Sequence, residues 1–375
     1  MNKQLALYIH LPWCISKCPY CDFNSFKAPT KTPYQGYINS LKLDFMSHID
    51  TLKNRTIDSI FFGGGTPNLF PPHCIHELLE HIRNHANVAD DCEITLEANP
   101  GSHQHDQFNK YMSAGVNRFS IGCQSFNDDS LKKIGRIHNS KEALNCINHL
   151  PPCNANIDIM HSLPSQTATL AMKDLTTAID LNTNHLSWYE LTIEPNTLFA
   201  KSPPQIPHES ILDDIYDSGL KLLSQAGFHR YEISAYCKPG FQCRHNLHYW
   251  NFDDYIGIGA GASSKLTLHQ EIMRFNKIKS PQLYMQSPKT ITQKTYVDPG
   301  NVAFEYWLNR SRLLKPIVKR DFEEKTFQKI DKYHKTIDEL EAKELITSSK
   351  STIYITDKGY QYLNILQEAF LPHDQ

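Results

Sequence analysis

Three cysteines near the amino terminus constrain this chain more than any other feature. Cys14, Cys18 and Cys21 have the spacing C-x3-C-x2-C and follow a short β-type run. Thiolates this close in sequence can wrap one face of a [4Fe–4S] cluster. A structural zinc ion or an electron-transfer cluster takes four protein ligands, so a triplet leaves one iron open to an outside ligand. A zinc site completed by a distant fourth ligand is the alternative at this point.

The other cysteines do not extend this motif. Cys237 and Cys243 form a loose pair near a histidine, an arrangement that is more often structural than a ligand set. We expect reduced core thiols rather than disulfides for the rest, because the chain is long and carries no secretion signal. These remaining cysteines are Cys74, Cys92, Cys123, Cys146 and Cys153.

Strand-like and helix-like runs alternate through the first two-thirds of the chain. The predicted strands, rich in β-branched or aromatic residues, cover 5–11, 58–62, 93–99, 118–124, 156–160 and 186–191. The predicted helices between them cover 34–51, 72–86, 104–114 and 168–181, followed by a helix over 209–226 and a strand over 230–234. This alternation predicts an α/β fold with a parallel sheet, a partial (β/α)6-type barrel with fewer units than a full eight-unit barrel.

The pattern changes after about residue 290. Two helical runs, the second over 328–343, precede a polar turn at 347–351, a strand over 352–356 and a helix over 358–369. We interpret this as a smaller α+β domain that is winged-helix-like. Its lysines are mixed with acidic residues, which disfavours DNA binding. The predicted domains are a barrel over 1–235, a connecting segment over 236–295 and the C-terminal domain over 296–375.

Charge and hydropathy limit the partners and the location. The 375 residues have a net charge of -2, so nothing points to nucleic acid. The run before the first cysteine is short and polar-flanked, unlike a signal peptide. No stretch approaches the roughly 18 apolar residues of a membrane span. We expect a cytoplasmic protein, with peripheral contact to the inner face of the membrane as a second option.

A glycine-rich string, FFGGGTP over 61–67, closes the second predicted strand. Without Cβ atoms, such a backbone can approach a ligand closely. Together with the cysteine triplet, this string resembles the radical S-adenosylmethionine superfamily. The resemblance implies a [4Fe–4S] cluster whose open iron holds S-adenosylmethionine, which the reduced cluster can cleave.

Further strings are similar to one branch of that superfamily, from residue 5 to about residue 265. They are CPYCDFNS at 18–25, EANP at 97–100, GCQSF at 122–126, NIDIM at 156–160, EPNT at 194–197 and HNLHYW at 245–250. This branch is the oxygen-independent coproporphyrinogen III oxidase group, and within it the HemW heme chaperones.

The resemblance implies roles for individual residues. Tyr8 is expected beside the cluster and the methionine sulfur, and Tyr20 near the adenine. The amino group of S-adenosylmethionine is expected to meet Gly64, Gly65 and Thr66. Four polar side chains at or just beyond strand ends are expected to bind its ribose hydroxyls and carboxylate: Glu97, Gln124, Arg136 and Asp158.

Two features favour the chaperones over the oxidases. The oxidases carry a fourth cysteine where this chain has Phe23, and a long extension where only thirteen residues precede Cys14. His245 then becomes the candidate heme-iron ligand, with Tyr249 or Trp250 stacking on the macrocycle. The alternative is that His245 only ties a loop to the barrel. Relatives usually read M-x-G-L-P where this chain reads MHSLP over 160–164, a difference expected to affect only the loop.

Three functional hypotheses follow. The preferred one is a heme chaperone that binds the cluster, S-adenosylmethionine and heme, and delivers heme to apo-hemoproteins such as membrane respiratory enzymes. Under this hypothesis the cluster and S-adenosylmethionine stabilise the structure, support a homodimer or regulate heme transfer. No residue is assigned a catalytic role, so the hypothesis leaves open whether the protein is an enzyme. The alternatives are a coproporphyrinogen III oxidase that forms protoporphyrinogen IX and a radical enzyme with another substrate, which would need a second pocket.

Overall fold

The computed structural model describes residues 4–101 and 106–372. The helix predicted over 104–114 therefore starts outside the described residues, and its described part begins at Asp106. Among the described residues, no helix combines the length and the hydrophobicity that a membrane crossing requires.

The strands are β1 (Gln4–Leu11), β2 (Trp13–Cys14), β3 (Phe26–Lys27), β4 (Thr56–Gly64), β5 (Asn87–Ala98), β6 (Arg118–Gln124), β7 (Asn154–His161), β8 (His185–Glu190), β9 (His229–Glu232), β10 (Ala235–Cys237), β11 (Tyr255–Ile258), β12 (Ser263–Leu268), β13 (Glu271–Lys277), β14 (Ile291–Tyr296), β15 (Ile317–Val318), β16 (Ile346–Ser348) and β17 (Thr352–Ile355). The helices are α1 (Tyr34–Met46), α2 (Ile49–Leu52), α3 (Pro72–His85), α4 (Asp106–Ser113), α5 (Asp128–Lys133), α6 (Ser140–Asn148), α7 (Ala168–Asp180), α8 (Leu198–Lys201), α9 (Glu209–Gln225), α10 (Arg244–Trp250), α11 (Pro281–Gln286), α12 (Pro299–Arg310), α13 (Lys319–Thr326), α14 (His334–Ala342), α15 (Asp357–Gln361) and α16 (Leu363–Glu368).

The main sheet is mostly parallel, as predicted. Its strand order is β14-β13-β12-β11-β1-β4-β5-β6-β7-β8-β10-β9. The parallel part of the sheet consists of β11, β1, β4, β5, β6, β7 and β8, in that spatial order. Antiparallel strands extend the sheet beyond β11 at one edge and beyond β8 at the other. Side chains from β1, β4, β5, β6, β7 and β8 line one interior cavity. The sheet must therefore curve around that cavity as a partial barrel, with its helices outside.

The six predicted strands from β1 to β8 are confirmed. The strands β11 to β14 were not predicted, although β11 is parallel to β1 and lies inside the sheet, between β12 and β1. The reason is local, since β11 has only four residues and glycine-rich sequence directly follows it. Such a short run has no helical or strand period of its own.

The C-terminal unit matches its predicted winged-helix-like character. The strands β15, β17 and β16 form a three-stranded antiparallel sheet, with the β16–β17 pair as a hairpin. Helices α12, α13, α14 and α16 pack around it over a core that includes Trp307 and Phe370, whose rings stack at 4.1 Å. Phe252 and Ile272 from the barrel join the same core, so the two units share a packed interface.

Candidate cluster and cofactor site

The cysteine loop is held in place at both ends. The short strands β2 and β3 pair in parallel, and the backbone N–H groups of Phe26 and Ala28 donate to the carbonyls of Pro12 and Cys14 at 2.8 Å. At the far end, the Asn24 side chain donates to the carbonyls of Ala260 (2.9 Å) and Lys279 (2.8 Å). The loop therefore leaves the carboxyl end of β1 in a fixed conformation.

All three thiols of this loop line one cavity of about 490 Å³. Cys18 Sγ lies 3.9 Å from Arg136 Nη1, and Cys21 Sγ lies 3.7 Å from Ser25 Oγ. Burial raises the pKa of the Cys14 and Cys21 thiols, so thiolates there need a positive partner. Bound iron would supply that charge.

The donor set suits a cluster better than a single ion. Among the described residues, no three side chains of the metal-ligating types converge where one ion could bind. In a cubane cluster each cysteine ligates a different iron, so the thiols must stand apart while facing the same space. A mononuclear zinc ion at this triplet would need a fourth ligand from elsewhere in the chain.

The glycine-rich end of β4 packs directly against the cysteine loop. A Cβ on Gly65 would lie 2.6 Å from the carbonyl oxygen of Trp13, and one on Gly64 would lie 2.5 Å from the His10 ring. The Gly65 and Thr66 N–H groups donate to the carbonyls of Leu11 and Trp13 at 2.8 Å. These glycines thus bring β4 and the loop together, and the Thr66 side chain lines the cavity.

Two buried carboxyl groups, those of Glu97 and Asp158, are close enough for their charges to interact. Glu97 accepts a hydrogen bond from the Gly64 N–H at 3.2 Å, and Asp158 accepts from Ser120 Oγ (3.0 Å) and Asn156 Nδ2 (2.8 Å). Burial, together with the charge of Asp158, raises the pKa of Glu97 to about 8. Burial also raises the pKa of Asp158. Each carboxyl can therefore hold its proton when the cavity is empty. When it is ionised, it can accept hydrogen bonds from a polar ligand.

Arg136 joins several parts of the site. Its guanidinium donates to the Gly122 carbonyl and the Asn99 side chain, and lies 3.5 Å from the Tyr20 hydroxyl. Gln124 has a left-handed backbone (φ 69°) and accepts from the Tyr189 hydroxyl at 2.7 Å. These side chains line the same cavity as the three thiols, called the cluster cavity below.

The structure brings most of the predicted residues together and separates two of them. One cavity is lined by Cys14, Cys18, Cys21, Tyr20, Gly64, Gly65, Thr66, Glu97, Gln124, Arg136 and Asp158. Tyr8 and His245 instead line an adjoining inner cavity. Gly64, Glu97 and Asp158 border both cavities. Tyr8 thus borders the inner cavity together with Gly64, Glu97 and Asp158, and its place beside the cluster stays a prediction.

Two residues that the sequence analysis did not single out contribute to this site. His10 Nε2 donates to the Asn24 carbonyl at 2.9 Å, so its Nδ1 accepts from the Tyr8 hydroxyl at 3.0 Å. Burial lowers the pKa of His10 to about 4, which keeps the ring neutral. Asn99 donates to Thr66 Oγ1 at 3.0 Å and accepts from Arg136. Only Asn99 had a sequence signal, since it belongs to the EANP string.

His245 lies on α10, which closes the barrel from the amino-terminal side of the strands. Its ring is 1% exposed, and its two nitrogens contact Ser59 Oγ (3.2 Å) and Tyr249 Oη (2.9 Å). Burial lowers its pKa well below the ordinary value. Another bond ties α10 to the barrel, from His248 Nε2 to Asp58 Oδ1 at 2.7 Å. In this arrangement His245 makes the contacts of a residue that anchors the helix.

The end of α10 reaches the cluster cavity. Trp250 lines that cavity, and the Arg312 guanidinium lies 4.2 Å from the centre of its ring. Arg312 follows α12 in the C-terminal unit and donates to Glu232 Oε2 at 3.3 Å. The C-terminal unit therefore supplies part of the cavity wall, which no local sequence pattern indicated.

Comparison with known proteins identifies relatives over nearly the whole length. The Radical SAM superfamily model matches residues 8–168. The chain is 44% identical to the heme chaperone HemW of Haemophilus influenzae, covering 99% of this chain and 98% of that protein. It is also 44% identical to the Escherichia coli heme chaperone HemW, covering 98% of each.

A solved structure shares the fold. The structure is similar to that of coproporphyrinogen III oxidase (HemN) from Escherichia coli, described as a radical SAM enzyme, with a TM-score of 0.83. The match covers 98% of this chain and 90% of the oxidase, at 19% sequence identity. At that identity the similarity establishes the fold and leaves the activity open.

Proposed function

The chain belongs to the HemW family of heme chaperones within the radical SAM superfamily, and on that premise we propose that it binds heme and delivers it to apo-hemoproteins. It also binds a [4Fe–4S] cluster through Cys14, Cys18 and Cys21, and S-adenosylmethionine in the same cavity. The similarity to curated heme chaperones over almost the whole chain supports this assignment.

The observation that carries the choice of chaperone over oxidase is Phe23. It occupies the position of the oxidases' fourth cysteine, is 57% exposed and borders both the cluster cavity and the inner cavity. An exposed aromatic ring there offers an apolar contact to a flat macrocycle. It cannot supply the extra thiol of the oxidases.

The residues around the cluster cavity fit S-adenosylmethionine by type and position. We assign the contacts to its amino group to Thr66 and the backbone of Gly64 and Gly65. Arg136 would pair with its carboxylate while keeping its contact to the Cys18 sulfur. Sugar hydroxyls and adenine would be held by Tyr20, Glu97, Gln124 and Asp158. When bound, the reduced cluster supplies the single electron on which the superfamily's chemistry depends.

Heme contact is assigned to α10 and Phe23. Trp250 and Phe23 both line the cluster cavity, so these two rings are the candidate contacts for the macrocycle. His245 remains the candidate iron ligand, but its ring must first give up Ser59 or Tyr249 as a partner. Coordination by His245 therefore requires α10 to move, whereas stacking on Trp250 requires the ring face that Arg312 does not cover. Recipient apo-hemoproteins among membrane respiratory enzymes, a cytoplasmic location and a homodimer remain parts of this proposal.

The test uses the full chain, reconstituted anaerobically with iron and sulfide. Heme titration followed by absorbance, and coproporphyrinogen III turnover in the presence of S-adenosylmethionine, are measured on the same sample. We expect about one heme per chain and no protoporphyrinogen IX. His245→Ala is compared with His269→Ala, which replaces an exposed histidine on a turn.

The two assays separate the hypotheses. Weaker heme binding by His245→Ala alone supports iron coordination after a movement of α10. If His245→Ala binds heme as wild type does, His245 only anchors α10, and the heme contact is assigned to Trp250 and Phe23. Protoporphyrinogen formation that depends on S-adenosylmethionine would make the protein an oxidase despite Phe23.

A further inference from the structure

A second cavity of about 440 Å³ lies inside the barrel, between the strands and α10. It adjoins the cluster cavity, with which it shares Glu97 and Asp158. Tyr8 and Phe61 form part of an aromatic wall, with their rings 6.4 Å apart. Its volume falls within the roughly 300–1,000 Å³ that small-molecule sites occupy. Glu97 and Asp158 are assigned to S-adenosylmethionine, whereas Arg118, which lines the same cavity, has no assigned ligand.

Arg118 lines this cavity and has few of its donors used. The residue is 2% exposed. Within the described part of the chain, its guanidinium makes one long hydrogen bond, from Nη1 to Thr95 Oγ1 at 3.5 Å, and Nε has no acceptor. A guanidinium carries five N–H donors, and buried donors in folded proteins are normally satisfied. Arg118 is therefore a buried cation with unused donors beside an open space.

Glu93 forms an ion pair with Arg118 without a hydrogen bond. Glu93 Oε2 lies 4.0 Å from Arg118 Nε, beyond hydrogen-bond distance. Its other oxygen, Oε1, accepts from the His245 N–H at 3.2 Å and faces Cys243 Sγ at 3.6 Å. Glu93 is thus committed to holding the start of α10.

The polar groups beside Arg118 are bonded to one another. Asn156 donates to Ser120 and Asp158, and its Oδ1 contacts His185 Nδ1 at 2.6 Å and Ser187 Oγ at 3.1 Å. The other His185 nitrogen contacts Tyr231 Oη at 2.8 Å. These groups hydrogen-bond to one another, and Asp158 interacts with Arg118 through its charge without accepting a hydrogen bond from it.

We propose that the inner cavity is a binding site for the carboxylate of an organic acid, with Arg118 as the forked donor. A planar guanidinium matches a carboxylate in a bidentate pair, and the aromatic wall suits the short aliphatic chain of such an acid. The carboxylate can belong to a free small acid or to a propionate arm of heme that reaches inward. The site follows from Arg118 and the cavity, and holds whether or not heme is the cargo.

The test separates these two sources on the full-length reconstituted chain. Glutarate and its uncharged analogue glutaramide are titrated by calorimetry, and heme is compared with heme dimethyl ester, which lacks free carboxylates. The variants are Arg118→Lys, which keeps the charge but loses the fork, and Arg118→Gln. Arg310→Lys is the matched control, because Arg310 is also buried but its guanidinium donates to the Pro316 carbonyl at 2.7 Å. Circular dichroism and thermal unfolding establish that each variant is folded.

If the acid is free, wild type binds glutarate but not glutaramide, and Arg118→Lys weakens glutarate binding about 10- to 100-fold. If the acid is a heme arm, Arg118→Lys weakens heme binding by a similar factor and leaves the dimethyl ester unchanged. Either result supports the site. The proposed site is overturned if wild type does not bind glutarate and binds heme and heme dimethyl ester with equal affinity. It is also overturned if folded Arg118 variants bind every probe with wild-type affinity. Absence of all heme binding would count against the chaperone proposal, while the glutarate titration would still test this site.

Discussion

At the scale of single residues, the candidate site consists of polar side chains that position one another. Arg136 contacts the Cys18 sulfur and the Asn99 side chain, and Asn99 in turn donates to Thr66. The cysteine loop, the β4 end and the β5 end are thereby connected by side chains as well as by backbone. A change at one of these residues should therefore alter the surroundings of the cluster.

Replacing Cys14 by alanine should prevent cluster assembly, because two thiolates remain where three separate irons need ligands. Iron and acid-labile sulfide measured after anaerobic reconstitution should fall to background. Cys153→Ala is the control, because Cys153 is a half-buried thiol outside the cluster cavity. Equal iron in both variants would contradict the assigned ligand set.

Glu97 should make the ligand-free protein less stable as the pH rises. Its folded-state pKa of about 8 lies above the ordinary value of 4.5, so the folded state holds a proton that the unfolded chain has lost. The stability that the folded protein gains from protonated Glu97 is fully present below pH 4.5 and is lost by about pH 8. Its slope is at most about 1.4 kcal/mol per pH unit.

Glu97→Gln should flatten this part of the pH profile, measured by urea unfolding of the metal-free chain. Glu271→Gln, at an exposed glutamate, should keep the wild-type slope. A slope that is the same in wild type and Glu97→Gln would mean that Glu97 is ionised in the folded protein.

At the scale of elements, the site depends on how the β4 end meets the cysteine loop. Gly65→Ala would place a Cβ 2.6 Å from the backbone oxygen of Trp13, and neither strand end can move without disturbing the loop. We expect a loss of about 1–3 kcal/mol in unfolding free energy, together with reduced iron content. Gly36→Ala in α1 is the control, because its nearest atom would lie 3.9 Å away and alanine favours helix. A stable Gly65→Ala protein with full iron content would refute this contact.

The elements that could be predicted from the sequence are those with a clear local pattern. The strands β1, β4, β5, β6, β7 and β8 have clear β-type runs, and the short motifs at their ends carry the cavity residues. By contrast, α10 and β11 to β14 depend on distant partners, such as the Glu93 carboxyl that accepts from the His245 backbone. A local string such as HNLHYW cannot reveal what lies opposite it, so the burial of His245 and the inner cavity were not foreseen.

At the scale of the whole molecule, the barrel and the C-terminal unit share a core. Ile272 belongs to β13 of the main sheet, yet it packs with C-terminal residues such as Tyr306 and Trp307. Arg312 extends this link to the cluster cavity through Trp250. The C-terminal unit should therefore stabilise the barrel as well as itself.

Ile272→Ala tests this coupling. Truncating a buried isoleucine should cost about 2–5 kcal/mol and lower the stability of both units together. Calorimetry should give a single transition at a lower temperature. Ile291→Ala, at a 39% exposed position on the neighbouring strand, should change the stability by less than about 0.5 kcal/mol. Two separate transitions, with only the C-terminal one shifted, would mean that the units are independent.

The chaperone account claims that heme passes directly from this chain to a recipient. The most direct measurement mixes the heme-loaded, reconstituted chain with a heme-depleted membrane respiratory enzyme, with excess apomyoglobin present as a scavenger of free heme. The account predicts that recipient activity returns despite the scavenger, whereas the same amount of free heme restores none. Equal suppression by apomyoglobin of both heme sources would show that heme is merely released, which would contradict delivery by this chain.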